Sequence, residues 1–509
     1  MENEPLGIVV GEAQPHRFTF LAKRGVKVGE YVTVESSEGR ILGLVEASTV
    51  RSSLLNTADN YYTALEGKKV ASKNVRDKGY VALVRTMGLL EDLKKGVVNI
   101  PSLAPEPGSE VMEASYYDLK EVFCKEEIQW AKIGVLLRNS EIPVSINIDK
   151  LASRHLAILA TTGSGKSNLL ALLAKKISEV NGTMIIFDYH GEYSGLNIPN
   201  VAHSPAKINP RLMDSDKLAD LLEVRENASV QRTVLSEVLK ENVVNAEDFW
   251  NTLLQNLEQL KNDSKDKQKA RAAVRLQEII EMALKRMKPI LDPDMGEPLD
   301  QIKPYHVNIL DMSEFTEKQA DIVVSFYLEG ILEDRKRARR LKTSNEREEE
   351  TKPRFMEPVV CAIEEAHVFI PNDVPTGTKY IASKIAREGR KFGVALIIVS
   401  QRPSRVDQDV LSQMGSFAVM RIIQPRDQAY ISEACETISE ELVKYLPSLN
   451  IGETVLLGQW VSLPSLAKIY KVEEKVMGAD ISAVNEWKTR AELSKIAYED
   501  TSELIREVD

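Results

Sequence analysis

Residues 158–170 read ILATTGSGKSNLL and carry two glycines, a lysine and a serine in the order of a phosphate-binding loop. Such a loop curls backbone N–H groups around a phosphate in front of a helix N-terminus. Lys166 would supply charge for the β- and γ-phosphates, and the Ser167 hydroxyl would ligate Mg²⁺. Ala160 replaces the usual leading glycine, but one methyl group is a small intrusion at the end of a strand. We therefore predict a nucleotide site. Its expected nucleotide contacts are Thr162, Gly163, Ser164, Gly165, Lys166, Ser167 and Asn168.

Two glutamates follow a second apolar stretch, EPVVCAI, and predict the hydrolytic part of the same site. Glu364 is placed to act on the metal ion and Glu365 to act as the general base. The usual first residue is aspartate, so the longer Glu364 leaves both a direct and a water-mediated metal contact open. The alternative is that both are surface acids after a buried strand.

Polar and basic residues near a third apolar stretch, VALIIVS, suit the chemistry of a γ-phosphate. Gln401 follows this stretch and can hydrogen-bond the γ-phosphate or the attacking water, as a sensor does. Arg387, Arg390 and Lys391 precede it, and guanidinium groups suit the charge of a phosphoryl-transfer transition state. These arginines act in cis if they face their own nucleotide, and in trans, within an oligomer, if they face a neighbour's. A solvated basic helix end is the alternative.

The segment IIFDYHGEY places Asp188 at the end of another strand, where it would order a water on Mg²⁺ beside the nucleotide. His190 has no cysteines nearby and is a poor candidate for a metal ligand. The sequence contains no N-K-x-D guanine signature, so ATP is favoured over GTP.

Length, composition and charge bound the class of protein. At 509 residues the chain is too long for one core, and 43% hydrophobic with 28% charged residues is typical of a soluble globular protein. It has no apolar run of membrane-spanning length, and its acidic start is unlike a signal peptide. The 3 cysteines lack metal-ligand spacing and indicate a reducing cytoplasm. The net charge of −10 argues against a nucleic-acid-coated protein but permits a basic channel.

The pattern of apolar residues predicts an N-terminal β unit followed by an α/β unit. Short alternating stretches in the first hundred or so residues, with GYVALVRTMG and VSINID, favour a small closed barrel. From about Leu151, continuous apolar stretches predict buried parallel strands. These predicted strands are HLAIL, TMIIFDY, VNILDM, EPVVCAIEEAH, VALIIVSQ, FAVMRI and GETVLLG.

Two segments interrupt the α/β pattern. Between Arg211 and Asp292 apolar residues recur at three-four spacing, which predicts an inserted bundle of about four helices. Residues 334–354 form a charged run, basic first and acidic later, and predict a solvated hairpin or loop. Contact of this run with nucleic acid is the alternative.

Together, RHLAILATTGSGKSN, IIFDYHGEY, VVCAIEEAH and GRKFGVALIIVSQRPS resemble the motifs of the HerA/FtsK superfamily of hexameric DNA-pumping ATPases, and its archaeal HerA branch above all. The resemblance implies an α/β, RecA-like P-loop core at 150–210 and 300–464, with a helical insertion at 211–299. It also implies an N-terminal HAS-barrel and connector at 1–149. The tail at 465–509 would brace a neighbouring subunit.

The same resemblance implies a homo-hexameric ring that threads double-stranded DNA through a central channel, without a membrane. The barrel would bind a NurA-type nuclease, and the complex would act with other break-repair proteins in the resection of DNA ends. Arg154 would lie near the nucleotide, and Arg390, or Arg387 in its place, would act in trans.

Two other functions stay open at this point. A conjugation-type DNA pump of the same superfamily would need membrane spans or an anchoring partner. A ring scaffold that only holds its nucleotide would belong to a different class, but it would not need Glu365 and Gln401 for water activation.

Overall fold

A closed barrel forms the N-terminal unit of the protein, and an 11-stranded sheet forms the core of the rest. The computed structural model describes residues 4–474 without 53–54, 57, 72–76, 288–289 and 344–351, and beyond them residues 484, 487, 488 and 490. All elements given below belong to these described residues.

The barrel closes in the order β1-β2-β5-β4-β3-β6. Its interior is apolar because alternate strand residues point inward, among them the buried Phe18, Phe20 and Val84. The predicted barrel is therefore confirmed, with GYVALVRTMG in its fifth strand. Its strands are β1 (Gly7–Gln14), β2 (Arg17–Ala22), β3 (Tyr31–Ser36), β4 (Gly39–Ser52), β5 (Lys78–Leu89) and β6 (Glu110–Glu113).

The large sheet has the order β11-β12-β10-β13-β14-β9-β15-β16-β17-β7-β8. The first seven of these strands run parallel to one another, and the last four add antiparallel pairs. Its strands are β7 (Trp130–Leu136), β8 (Asn139–Asn147), β9 (Leu156–Leu159), β10 (Thr183–Asp188), β11 (Val201–Pro205), β12 (Val307–Asp311), β13 (Val359–Ile363), β14 (Val394–Ser400), β15 (Ser416–Val419), β16 (Glu453–Gly458) and β17 (Ser465–Ile469).

Helices cover both faces of this sheet, which is why its central strands are continuous apolar runs. The helices of the chain are α1 (Tyr61–Ala71), α2 (Leu90–Lys94), α3 (Tyr116–Phe123), α4 (Ile148–Arg154), α5 (Lys166–Glu179), α6 (Ser215–Leu221), α7 (Ser229–Val238), α8 (Glu241–Val244), α9 (Phe249–Asp263), α10 (Lys267–Met287), α11 (Glu317–Thr343), α12 (Ala366–Phe369), α13 (Gly377–Phe392), α14 (Gln408–Ser412), α15 (Pro425–Ala434) and α16 (Glu440–Tyr445). Single 3₁₀ turns lie at Pro210–Leu212, Pro298–Gln301, Pro403–Arg405 and Leu446–Ser448.

The structure confirms the α/β core, its seven predicted strands and the helical insertion, which comprises α6 to α10. The parallel direction predicted for these strands is wrong for GETVLLG, because it forms β16, which is antiparallel to its neighbours β15 and β17. The structure also corrects two boundaries. VSINID lies in β8 and the first turn of α4, so it belongs to the large sheet and not to the barrel. Ser465–Ile469, predicted to begin a bracing tail, forms β17 inside the protein's own sheet.

The prediction of a solvated hairpin or loop for the charged run is wrong for residues 334–343, which form the last turns of α11. Asp334 is buried and accepts the backbone N–H groups of Arg354 and Phe355 at 2.9 Å each. Arg335 is also buried and donates to the carbonyl of Phe355 at 2.9 Å. The first charged residues of the run, Asp334 and Arg335, therefore bind the segment that leads into β13. Residues 344–351 lie outside the described part.

Candidate nucleotide-binding and hydrolysis site

Four neighbouring strands of the large sheet, in the order β10-β13-β14-β9, end at the same edge. We call it the carboxyl edge and define it by Asp188, Glu364 with Glu365, Gln401, and the loop 160–167. Parallel sheets bind their ligands at this edge, because the helices that follow the strands diverge there. The strand order therefore brings together residues that are up to 241 positions apart in the sequence (401 minus 160).

The loop 160–167 has the backbone that phosphate binding requires. Gly163 has a φ of 73° and Gly165 a φ of 108°, a left-handed region that only glycine adopts without strain. Gly165 is the N-cap of α5, so the helix N-terminus opens directly onto the loop. Ala160 is fully buried, and its N–H donates to the carbonyl of Ser400 at 3.1 Å. Ala160 therefore ends β9 inside the sheet and leaves the phosphate cradle to the glycines.

Two other segments brace the loop. The backbone N–H and the hydroxyl of Thr161 both donate to the carbonyl of Arg421, each at 2.9 Å. The N–H of Gly452 donates to the carbonyl of Ser164 at 3.0 Å. Neither Arg421 nor Gly452 was predicted from the sequence, because nothing in their local pattern marks a contact made across the sheet.

Lys166 stands against the acids of the carboxyl edge. Burial lowers the pKa of its ammonium group, while the charges of Glu365, Glu192 and Glu364 raise it. The lysine is thus a partly desolvated cation among carboxylates, which is the setting in which it interacts strongly with phosphate oxygens.

Glu364 has the environment of a metal ligand. It is 5% exposed, and its Oε1 accepts the Tyr193 hydroxyl at 2.7 Å, whereas its buried Oε2 has no hydrogen-bond partner within the described residues. Burial, followed by the charge of Glu192 and, more weakly, of other nearby acids, raises the pKa of Glu364 to about 8. A divalent cation would relieve both the orphaned oxygen and the crowding of negative charge.

Glu365 and Gln401, the predicted base and sensor, are hydrogen-bonded to each other. Glu365 has a left-handed φ of 46°, which is uncommon for a residue with a side chain. Its Oε1 accepts the side-chain amide of Gln401 at 2.7 Å, and the hydroxyl of Thr162 donates to the oxygen of the same amide. The loop, the sensor and the base therefore form one hydrogen-bonded chain.

His367 is a member of this site that the sequence analysis did not single out. Its Nδ1 lies 3.1 Å from Oε2 of Glu365 and 3.3 Å from the hydroxyl of Ser400. Burial, with the charges of Arg402 and Arg405, lowers the pKa of His367 to about 4, so the ring is neutral at pH 7. The signal was its spacing, two positions after the predicted base.

Asp188 lies at the carboxyl edge and also has a structural role there. The carboxylate is fully buried, and its two oxygens accept the backbone N–H groups of Glu192 at 2.9 Å and Tyr193 at 2.8 Å. Its carboxylate organises the turn that follows β10, and its contact with a metal-bound water stays a prediction.

The side chain of Asn168 does not face the nucleotide, which corrects the prediction. Its amide nitrogen donates to the carbonyl of Tyr470, and its amide oxygen accepts the N–H of Val472, both at 2.9 Å. Lys175, further along α5, forms an ion pair with Glu474. Asn168 therefore fastens the segment after β17 onto the helix of the phosphate loop.

The predicted arginines lie at the opposite edge of the sheet. We call this the amino edge and define it by Arg154, His155 and Arg390, which precede β9 and β14. Burial and then the charge of Arg390 lower the pKa of Arg154, so the two guanidinium groups are neighbours. β14 has 7 residues, each rising roughly 3.3 Å, so the two edges are roughly 20 Å apart. Arg154 is therefore remote from the phosphate loop of its own chain, and its predicted position near a nucleotide stays a prediction.

The end of α13 is fixed firmly at the amino edge. His155 is 3% exposed, and its Nδ1 accepts the N–H of Leu396 at 2.9 Å. A Cβ atom on Gly389 would lie 2.5 Å from the carbonyl of Val394, so only glycine permits this approach of helix to strand. Arg387 lies one turn earlier on the exposed face of α13 and donates to the carbonyl of Ser383 at 3.1 Å.

The carboxyl edge fits ATP with Mg²⁺. The loop 160–167 and Lys166 would hold the phosphates, and Ser167 with Oε2 of Glu364 would hold the metal ion. Bound Mg²⁺ would neutralise phosphate charge. Glu365 is placed to accept a proton from water, and Gln401 orients its carboxylate. The site therefore has binding groups and a base, whereas the arginines predicted for the transition state, Arg387 and Arg390, lie on α13.

Comparison with known proteins identifies relatives for the whole chain. Residues 6–96 match the family model described as the HAS barrel domain, and residues 131–331 match that described as Helicase HerA, central domain. The DNA double-strand break repair helicase HerA of Sulfurisphaera tokodaii is 38% identical over 96% of this chain and 97% of its own. The protein of the same name from Saccharolobus solfataricus is 35% identical over 97% of each.

Among solved structures, VirB4 of Thermoanaerobacter pseudethanolicus matches 69% of this chain and 98% of its own, with a TM-score of 0.49 and 15% identity. No helix in the described part of the chain has the length and apolar character needed to cross a bilayer.

Proposed function

The chain belongs to the HerA helicase family and is an ATPase of the helicase class, and we propose that it moves double-stranded DNA through a ring in the resection of DNA ends for double-strand-break repair. Its full-length relatives are named as break-repair helicases. The observation that carries the proposal is the meeting of phosphate loop, metal carboxylate, base and sensor on four adjacent strands. Such a site couples ATP hydrolysis to movement in motor proteins.

We propose ATP as the substrate and Mg²⁺ as its cofactor. The geometry of the loop, the buried orphaned oxygen of Glu364 and the chain from Thr162 to Glu365 support this assignment. The sequence also lacks a guanine signature.

We propose that the ring is a homo-hexamer in which Arg390 reaches the nucleotide of a neighbouring subunit. Two adjacent guanidinium groups, of Arg154 and Arg390, have no hydrogen bond or ion pair with any described residue. They lie roughly 20 Å from their own phosphate loop, on a rigid support, so only another molecule can bring a phosphate to them. Particle images of the protein with an ATP analogue would show six subunits, and a monomer at all concentrations would contradict the proposal.

The DNA substrate is tested by the dependence of ATP turnover on nucleic acid. Turnover should rise on addition of linear double-stranded DNA, less with a single strand, and the rise should weaken with added salt because phosphate contacts release counterions. Lys166→Ala protein serves as the blank for contaminating ATPases. Equal turnover with and without DNA, at low salt and with a formed ring, would contradict a translocase.

The barrel is the surface that we propose for a nuclease partner of the NurA type. Helix α1 lies between β4 and β5, and its Tyr61 and Tyr62 are 73% and 77% exposed. Exposed aromatic residues are frequent anchors of protein interfaces. The double variant Tyr61→Ser with Tyr62→Ser should lose co-elution with a purified NurA-type nuclease and keep ATP turnover. Unchanged co-elution would move the partner surface away from α1.

Two other functions fit less well. A conjugation-type pump is not favoured, because the full-length relatives are HerA helicases. A ring scaffold with little turnover does not require Glu365 to be held by Gln401 at 2.7 Å beside the phosphate loop. Measurable DNA-stimulated turnover would separate the motor from the scaffold.

A further inference from the structure

We propose that Tyr193 is a positioning residue for Glu364: its hydroxyl fixes one carboxylate oxygen and thereby leaves the other to the metal ion. The inference rests on the proposed function, because it takes Glu364 as the metal carboxylate of the ATP site. It assigns a role to the last tyrosine of IIFDYHGEY, a residue that the sequence analysis left without one.

Tyr193 is held at both ends. Its backbone N–H donates to Oδ2 of Asp188 at 2.8 Å, and its hydroxyl donates to Oε1 of Glu364 at 2.7 Å. The whole residue is buried, and so is Asp188. Since Asp188 ends β10 and Glu364 follows β13, and these strands pair in parallel, the tyrosine spans two adjacent strand ends. Because Tyr193 is hydrogen-bonded at both ends, its hydroxyl has a fixed position, and this hydroxyl fixes the Glu364 oxygen that accepts from it.

The other oxygen of Glu364 shows what this anchoring achieves. Oε2 is buried and has no partner among the described residues, while Oε1 is occupied by the tyrosine. Buried carboxylate oxygens rarely lack a donor or a metal ion. The tyrosine thus divides the carboxylate into an anchored oxygen and an oxygen that is available for coordination, which is how groups behind metal ligands usually orient them.

This arrangement also accounts for glutamate at a position where aspartate is usual. Glutamate has one more methylene group, and therefore one more torsion, which by itself would spread the carboxylate over several positions. The bond to Tyr193 removes that freedom. The longer side chain and the tyrosine act as a pair in this chain, so neither should be replaceable alone.

The alternative is that Tyr193 is a core aromatic residue whose hydroxyl has merely found an acceptor. That role would lower stability on substitution but would not alter the dependence of nucleotide binding on Mg²⁺. The test therefore measures the Mg²⁺ concentration that gives half of the rise in melting temperature caused by the non-hydrolysable analogue ADPNP. This midpoint reports on metal and nucleotide binding without turnover.

Tyr193→Phe should raise the midpoint about tenfold or more, the usual range when a group behind a metal ligand is removed. Tyr327→Phe is the matched control, since Tyr327 is also buried but its hydroxyl donates to the carbonyl of Lys207, at 3.0 Å. It should leave the midpoint unchanged. A midpoint for Tyr193→Phe equal to that of the control overturns the inference.

Two variants of Glu364 complete the test. Glu364→Gln should raise the midpoint, and an unchanged midpoint would contradict the metal site of the proposed function. If Glu364→Gln raises the midpoint and Tyr193→Phe does not, only the role inferred for Tyr193 is contradicted. Glu364→Asp shortens the side chain away from the hydroxyl and should also raise the midpoint, even if Tyr193→Phe fails to fold. Adding Tyr193→Phe to Glu364→Asp should change nothing further. An unchanged midpoint in Glu364→Asp, or full additivity of the two substitutions, overturns the pairing.

Discussion

The two edges of the large sheet differ in the surroundings of their charged side chains. At the carboxyl edge each of the two acids is hydrogen-bonded to a neutral side chain, Glu365 to Gln401 and Glu364 to Tyr193, and Lys166 lies among these acids. At the amino edge two guanidinium groups of like charge adjoin each other and have no acidic partner in the described residues. Like charges repel, so this pair suits an anion brought from outside the chain, as in the proposed ring. We therefore propose that one chain carries two complementary halves of a site, at opposite edges.

The first prediction breaks the carboxyl edge. Lys166→Ala should reduce ATP turnover to background while the fold persists, because only the charge partner of the phosphates is lost. Lys176→Ala is the matched control: it lies on the same helix and pairs with Glu179 at 2.9 Å. Turnover and circular dichroism are measured for both. Normal turnover of Lys166→Ala would disprove the assignment of the phosphate loop.

The second prediction breaks the amino edge. Arg390→Ala should keep nucleotide binding, because the loop of the same chain is untouched, but should lose roughly 10³–10⁵ in turnover, the range for removal of an arginine finger. The neighbouring exposed Lys391→Ala tests whether charge alone matters and should have little effect. A larger loss for Arg387→Ala than for Arg390→Ala would transfer the role to Arg387.

The third prediction concerns the base. Glu365→Gln should bind ATP normally and hydrolyse it roughly 10²–10⁴-fold more slowly, since binding uses the loop and proton transfer uses the carboxylate. Binding is followed by titration with ADPNP and chemistry by phosphate release. A parallel loss of binding and turnover would show instead that Glu365 holds the site together.

Mixing the last two variants tests directly whether the two edges meet between subunits. In a mixed ring, some interfaces join an intact Glu365 of one subunit to an intact Arg390 of its neighbour, so activity should recover at intermediate ratios. An arginine acting in cis would permit no recovery, because every subunit still lacks one group. If turnover stays at the level of the two variants at every mixing ratio, with subunit exchange confirmed, the two edges do not complement each other between subunits.

The contrast between the edges also explains what the sequence could predict. Residues of the carboxyl edge that lie directly after apolar strands, such as Glu364 and Gln401, were predicted because parallel strands deliver their following residues to one place. Arg421 and Tyr193 were missed. Arg421 contacts the loop through its backbone carbonyl and Tyr193 contacts Glu364 through a long side chain, and neither contact produces a recognisable spacing of residues in the sequence. The sequence could not show whose nucleotide Arg154 would approach, because Arg154 precedes β9 and the phosphate loop follows it, so they lie at opposite ends of that strand.

The smallest effect predicted concerns His155, the residue that supports the arginines at the amino edge. Burial lowers its pKa to about 4, whereas an unfolded histidine titrates near pH 6.5. Between these values the unfolded chain binds a proton that the folded chain does not, so acidification favours unfolding. The stability contributed by the neutral ring is complete above about pH 6.5 and is lost as the pH falls toward 4. A shift of this size corresponds to about 3 kcal/mol.

Melting temperatures at pH 7.5 and pH 5.0 test this. His155→Gln should melt lower than the unaltered protein at pH 7.5, because the N–H of Leu396 loses its acceptor, but should lose less on acidification. His203→Gln is the control, since His203 lies exposed on the outer strand β11, and it should follow the unaltered protein at both values. An equal loss of melting temperature on acidification in all three proteins would mean that protonation of His155 does not destabilise the folded protein.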